Sequence, residues 1–567
     1  MLLTWLDRIT DWNPQLIREL KGRFKLRSAL MAIALSIILQ LLVVGFFYSR
    51  LSEFFELNFN DDYIRWNRYC SYNATPPPPD YYDNCLRDAM GYILINWQAW
   101  WLDIFRTLNW ILSFAWITLG VYFLATDLEQ EERRGTLNFL RLSPQSAHHI
   151  FLGKLLGVPI LVYLGGLLAI PLHSIAASRA GAPSSFIVSF YILLLAGCYF
   201  TYSLALLFGF IGKSLARQTE TQLGAGLIIL IVCVISFIFV PCYTVWNSYT
   251  SWGTVVQSDY IYEYGNSEVV NWFALSLHSN PWLAHSFTLG ILAISTYFIW
   301  RALQRCFHNP GATLFSKPLS YGLVAFCEIV LLGFCFSDLT IKSYTFYSDT
   351  LGLISGVNLI LFLLVIVGLS NQRQTLLDWA RYRHMTPETK QLAGTIVSSK
   401  PSSRWHDLIW GEKSPAVEAI ALNLVIALLI LLPAIFLKLD SESRMPALIG
   451  TIVTMNSIAL YGAIAQLILL AKTPKHVSWA IGIVGLLFLV PLSAGALLYD
   501  ALPIARNLLL FTPFPWILLE ESVPSGLYYG EILVQWLMLV LVNIRLTHQL
   551  RQLGESATKQ LLTTGQR

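Results

Sequence analysis

The residues best placed to do chemistry lie between positions 127 and 150, in the string DLEQEERRGTLNFLRLSPQSAHHI. Asp127, Glu129, Glu131 and Glu132 form an acidic run. Arg133 and Arg134 reverse the charge, and Gly135 precedes a short apolar stretch of Leu137, Phe139, Leu140 and Leu142. A short apolar helix flanked by charge suits the docking of a soluble partner rather than catalysis, because buried anchors supply the binding energy. Ser143-Pro144 suits the start of a further helix running into the next apolar run, with Ser143 as its cap. His148 and His149 are adjacent, so they point to different helix faces, and no His-x-x-x-His or Cys-x-x-Cys spacing supports a metal. No nucleophile elbow and no pair of catalytic carboxylates is found. The string Gly209-Phe-Ile-Gly212-Lys213-Ser214 approaches a P-loop, yet Leu207 stands where the first glycine is required. An enzyme, a metal and a cofactor are therefore not expected in this chain. A different chemistry is offered by Glu328, a carboxyl in the middle of an apolar run. Such a group marks an ion or proton pathway by default, and polar neighbours at a helix interface would equally satisfy it.

These residues need elements to hold them, and the composition names the class. Of 567 residues, 55% are hydrophobic and only 13% are charged, about half the charge of a soluble domain. That excludes a soluble enzyme, a disordered scaffold and a nucleic-acid-binding protein. A spanning helix needs ~20 mostly apolar residues. Twelve such runs are expected, near 29–48, 107–126, 155–178, 186–211, 223–245, 282–300, 319–337, 350–370, 419–437, 446–471, 477–498 and 527–544. With the N-terminal tail and alternate loops inside, 28 of the 38 Lys and Arg fall on that side. The positive-inside rule then places both termini in the cytoplasm. The fold expected is an all-α polytopic membrane protein of the plasma (inner) membrane. No cleavable signal peptide is expected, since a charged tail of 28 residues precedes the first apolar run and that run lacks a small-residue cleavage site.

The largest outer loop, 49–106, carries the tetraproline Pro76 to Pro79 between Cys70 and Cys85, which form the candidate disulfide. Cys198, Cys233, Cys327 and Cys335 lie in apolar runs and read as small hydrophobes. In the N-terminal tail, Leu16, Leu20 and Phe24 recur every fourth residue, and Arg18, Lys21 and Lys25 fall on another face. Asn13 caps and Pro14 opens this helix. It is expected to be a basic amphipathic helix at the membrane surface.

The string EERRGTLNFLRLSP resembles the coupling-loop motif of type-2 ATP-binding-cassette exporter permeases, which read Glu-Arg-x-x-Gly-Thr-Leu, then leucines, then Pro. The order also fits: an amphipathic helix, the first span, then this motif between the second and third spans. The resemblance implies a six-span unit whose coupling helix docks on a separate cytosolic P-loop ATPase, with Glu131, Glu132, Arg134, Gly135 and Thr136 at the motif and Leu137 and Leu140 as apolar contacts. It also implies export through a path formed with membrane lipid around it, either by this chain alone or with a second permease chain. The alternatives are an ion-coupled secondary transporter using Glu328 and a membrane-embedded enzyme.

Weak echoes suggest a duplication. Arg373-Gln-Thr375-Leu376-Leu377 follows the eighth span much as Arg134-Gly-Thr136-Leu137-Asn138 follows the second, although Gln374 replaces the glycine. Asn309-Pro310 precedes span 7 as Asn13-Pro14 precedes span 1. Asn280-Pro281-Trp282 and Thr512-Pro513-Phe514 precede the last span of each half. Two pseudo-symmetric six-helix halves are expected, 1–305 with its loop at 127–150 and 306–567 with its loop at 371–417.

Overall fold

A computed structural model describes residues 12–56, 94–219, 271–277, 280–309, 311–335, 344–384, 404–439, 441–473, 475–497, 512–514 and 525–554, with single positions at 69, 71, 86 and 89. Among these residues, helix dominates, and the sheet is one two-stranded ribbon, β1 (Asn271–Trp272) and β2 (Leu275–Ser276). Eleven helices among the described residues are long and apolar enough to cross a membrane. The protein is an all-α, multi-pass membrane protein. The run expected at 223–245 lies outside the described residues, as do Cys70 and Cys85.

The chain divides into two compact units. The first holds Met1–Lys213, Gln222–Val270 and Ser276–Gln304, and the second holds Ser214–Thr221, Asn271–Leu275 and Arg305–Arg567.

In the first unit, α1 (Pro14–Arg23) precedes the long α2 (Leu26–Glu56). The second apolar run begins ten residues earlier than its hydropathy suggests, because the aromatic segment from Trp97 is already helical. It comprises α3 (Trp97–Phe114), a π-helical turn (Ala115–Leu119) and α4 (Gly120–Arg133). Then come α5 (Thr136–Leu142), α6 (Ala147–Gly157), α7 (Ile160–Arg179), α8 (Ser184–Thr219) and α9 (Pro281–His308). The expected single helix into the third span is two helices, since Pro159 separates α6 from α7.

Lipid offers no hydrophobic drive between spans, so association rests on close packing and polar contacts. Helix α2 leaves most of its apolar surface uncovered, including Leu26, Leu35 and Leu41. It meets α7 through Ser36 Oγ, which donates to the Gly165 carbonyl at 2.7 Å. Helix α7 is also tied to α3 and α8. His173 is fully buried with Nε2 2.8 Å from Asn109 Oδ1 and Nδ1 2.8 Å from the Tyr191 hydroxyl.

The second unit contains α10 (Lys317–Cys335), α11 (Tyr344–Leu369), α12 (Arg373–His384), α13 (Arg404–Trp410), α14 (Val417–Lys438), α15 (Ser441–Leu469), α16 (His476–Leu497) and α17 (Ser525–Gly554). Helix α15 is its centre, touching α11, α14, α16 and α17. Prolines 433, 446 and 491 lie inside helices, which membrane helices tolerate where neighbours satisfy the freed groups. Glu531 is buried and accepts from Gln535 Nε2 at 2.9 Å. The segment at Asn309-Pro310 forms no helix comparable to α1 among its described residues.

Candidate functional site: a buried ionic joint beneath a short exposed helix

The tail helix forms where the sequence places it. Asn13 Oδ1 accepts from the Leu16 amide at 3.1 Å, and Pro14 fills the first turn, where its missing N–H costs nothing. One face of the helix is covered by protein. Gln15, Leu16, Ile17 and Glu19 are buried, Phe24 is exposed, and the helix lies against α6. Two glycines one turn apart on α6 make this approach possible. A Cβ at Gly153 would stand 2.8 Å from both Asn13 Oδ1 and the Leu16 nitrogen, and one at Gly157 would stand 2.6 Å from Glu19 Cβ. Asn13 also donates from Nδ2 to the His149 carbonyl at 2.7 Å.

Lys154 is the one charged residue of α6 and is fully buried. Its ammonium stands 2.6 Å from Asp127 Oδ2, 2.8 Å from Glu131 Oε2 and 3.4 Å from Glu19 Oε1. Asp127 and Glu131 share one face of α4 because they are four residues apart. Glu129, between them, points outward and pairs with Arg133 at 2.5 Å. Arg18 pairs with Glu131, and Arg23 with Asp127. The centre therefore joins three carboxylates and three cations from α1, α4 and α6. Burial alone would lower the Lys154 pKa. The charges of Asp127, Glu19 and Glu131 outweigh that and hold it above the ordinary lysine value. The three carboxylates are close enough together to ligate a metal ion, but the Lys154 ammonium occupies the position between them.

At the end of α4 the chain turns through Gly135, whose φ of +72° is the left-handed conformation that glycine adopts without cost. The Thr136 hydroxyl donates back to the Glu131 carbonyl at 3.1 Å, fixing the direction of α5. Arg134 is exposed, and the side chain of Glu132 lies outside the described residues. The apolar residues of α5 divide between two faces. Leu137 and Leu140 are buried, whereas Phe139 is 74% and Leu142 is 86% exposed. A seven-residue helix must spend one face on its own support, and the 137/140 pair is that face. The helix start is also shifted. Ser143 ends α5, and Ser146 caps α6 by accepting from the His149 amide at 3.3 Å.

The second unit places its counterparts differently. Arg373 donates from Nε to the Leu470 carbonyl at 3.1 Å, and Leu376 is buried with Leu470 and Leu546. Thr375 is half-buried. The outward residues of α12 are Gln374, Asp378 and Arg381, all polar. Its joint is built around Lys317 at the start of α10. That ammonium donates to the Leu408 carbonyl, to Ser414 Oγ at 2.7 Å and to the Pro415 carbonyl at 3.0 Å. The Tyr321 hydroxyl donates to the Ile409 carbonyl at 2.8 Å, so α10 holds the end of α13.

Sequence reasoning singled out neither Lys154, Glu19 nor Lys317. The signal for Lys154 is a lone lysine in the apolar string HHIFLGKLLG, set one residue after Gly153. Glu328 is buried in α10, and its surroundings are described below. Comparison of the chain with family models, with curated proteins and with solved structures finds no match.

Proposed function

We propose that this chain is the permease subunit of an ATP-driven exporter, worked by a separate cytosolic P-loop ATPase that grips α5. The observation that carries this reading is the pairing of an exposed apolar tip with a rigid base. Phe139 and Leu142 stand out from the protein, and Leu137 and Leu140 seat α5 beneath them. Thr136 ties the helix to α4, and the ion cluster ties α4 to α1 and α6. A push on α5 is thereby passed to a span, because α4 continues the apolar helix that starts at Trp97. Exposed aromatic and aliphatic anchors are what a soluble partner needs for a hot spot. The resemblance of EERRGTLNFLRLSP to the coupling motif supplies the class of partner. In this reading the joint lies on the cytoplasmic side, and α12, with its polar outward face, grips weakly.

The test uses the full chain purified from its native membrane. Phe139→Asp with Leu142→Asp should abolish both the copurifying P-loop subunit and its ATP hydrolysis, while the chain stays in the membrane. Gly135→Val should act in the same direction by misdirecting α5. ATP hydrolysis and transport that survive both changes would overturn the reading.

A further inference from the structure

Several titratable side chains lie buried within the described spans. His173 has a partner at each ring nitrogen, and Glu531 accepts from Gln535. Glu328 differs from these two. It is 1% exposed, and neither carboxyl oxygen meets a hydrogen-bond donor among the described residues. Asn358 on α11 stands beside it, and its Oδ1 is likewise buried without a partner. A carboxylate buried in an apolar medium with only a neutral amide beside it is an expensive arrangement. A proton removes the difficulty. A neutral carboxyl has an O–H to give, and Asn358 Oδ1 is the acceptor at hand.

The groups on the elements around α10 leave this position free of compensating charge among the described residues. Helix α11 contributes Asn358 and Ser355, both uncharged. The strand β1 contributes Trp272, which donates its indole N–H to the Val330 carbonyl at 3.2 Å. The carboxylates Glu418 of α14 and Asp407 of α13 act on Lys317, at the opposite end of α10 from Cys335. On α10 itself, the titratable neighbour is the Cys327 thiol. A metal cation would need several oxygens around it, typically six or more for calcium or magnesium. Two oxygens suffice for a proton.

We propose that Glu328 and Asn358 form a proton-binding site inside the membrane-spanning part of the second unit, occupied in the state described here. The site takes a proton rather than a metal ion. It is separate from the α5 surface and stands or falls independently of the ATPase reading.

The experiment is infrared spectroscopy of the full chain in lipid vesicles, titrated from acid to alkaline pH. A carbonyl band of a protonated carboxyl should be present at acid pH and fade as pH rises. Glu328→Gln should remove that band. Asn358→Leu should shift it by removing the acceptor, and Glu531→Gln should leave it in place. A hydrophobic carbodiimide, which attacks protonated carboxyls, should label the Glu328 peptide more slowly at high pH. Absence of the band at every pH, its persistence at every pH, or its loss in Glu531→Gln would each overturn the proposal. If Glu328→Gln fails to assemble, the carbodiimide label on the native chain decides alone: no label at Glu328 overturns the site.

Discussion

Two buried lysines hold two loop helices in this molecule, by opposite means. Lys154 sits among carboxylates brought from α1 and α4, segments more than a hundred residues apart in the chain. Lys317 sits among backbone carbonyls and a hydroxyl from one neighbouring stretch, 408–415. The first is an ionic joint whose members repel one another unless the cation is present. The second is a cage of neutral hydrogen-bond acceptors, on which the charges of Glu418 and Asp407 also act, and it loses mainly hydrogen bonds when the cation leaves. The difference separates specificity from strength. A buried ion cluster gains little net stability over apolar packing, but breaking it by removing one partner is costly. It therefore suits a place where one arrangement of α1, α4 and α6 must be kept.

The largest effect expected from this comparison is that of Lys154→Met. It leaves Glu19, Asp127 and Glu131 clustered without their central cation, at a cost of about 3–5 kcal/mol. Trypsin should then cut at Lys21 and Arg23 much faster, and the melting temperature in detergent should fall. Unchanged cleavage would show that α1 is held by its seat on Gly153 and Gly157 rather than by charge. A smaller effect is expected for Lys317→Met, where unsatisfied neutral acceptors cost about 1–3 kcal/mol. Cleavage at Arg404 should rise modestly, and a loss equal to that of Lys154→Met would erase the distinction between the joints.

The smallest effect concerns pH. The native pKa of Lys154 is raised above its ordinary value of 10.5. Its contribution to stability is then complete below that value and is lost only as pH climbs through the higher native one. Protease protection of α1 should stay constant from neutral pH up to about 10. Release of α1 within that range would mean that Lys154 is not charged in the joint.

Much of the fold was legible because spans are a composition signal. Twenty apolar residues are needed to cross the hydrocarbon, whatever the neighbours, so eleven expected runs coincide with helices apart from their ends. The ends were less legible. Trp97 to Phe105 read as a loop, because aromatic and polar residues dilute the hydropathy, yet tertiary contacts bury Trp100, Ile104 and Phe105. The site was legible in part. Gly135 and the Asn13-Pro14 start are local signals, since a left-handed turn and a cap depend on a few consecutive residues. Which leucines of α5 face inward is not local: alternation along 137–142 admits either face until α4 supplies a surface.

The sequence by itself determined the class, the rough position of the spans found among the described residues, and the turn that launches α5. Each follows from the free energy of a short segment in lipid or in one hydrogen-bonded turn. Only the tertiary structure decided that Lys154 completes a cluster with Glu19, Asp127 and Glu131. It also decided that Phe139 and Leu142 are exposed, and that neither carboxyl oxygen of the buried Glu328 has a hydrogen-bond partner among the described residues. Those are properties of distances between residues far apart in the chain, and helix packing sets such distances in ways no single segment encodes.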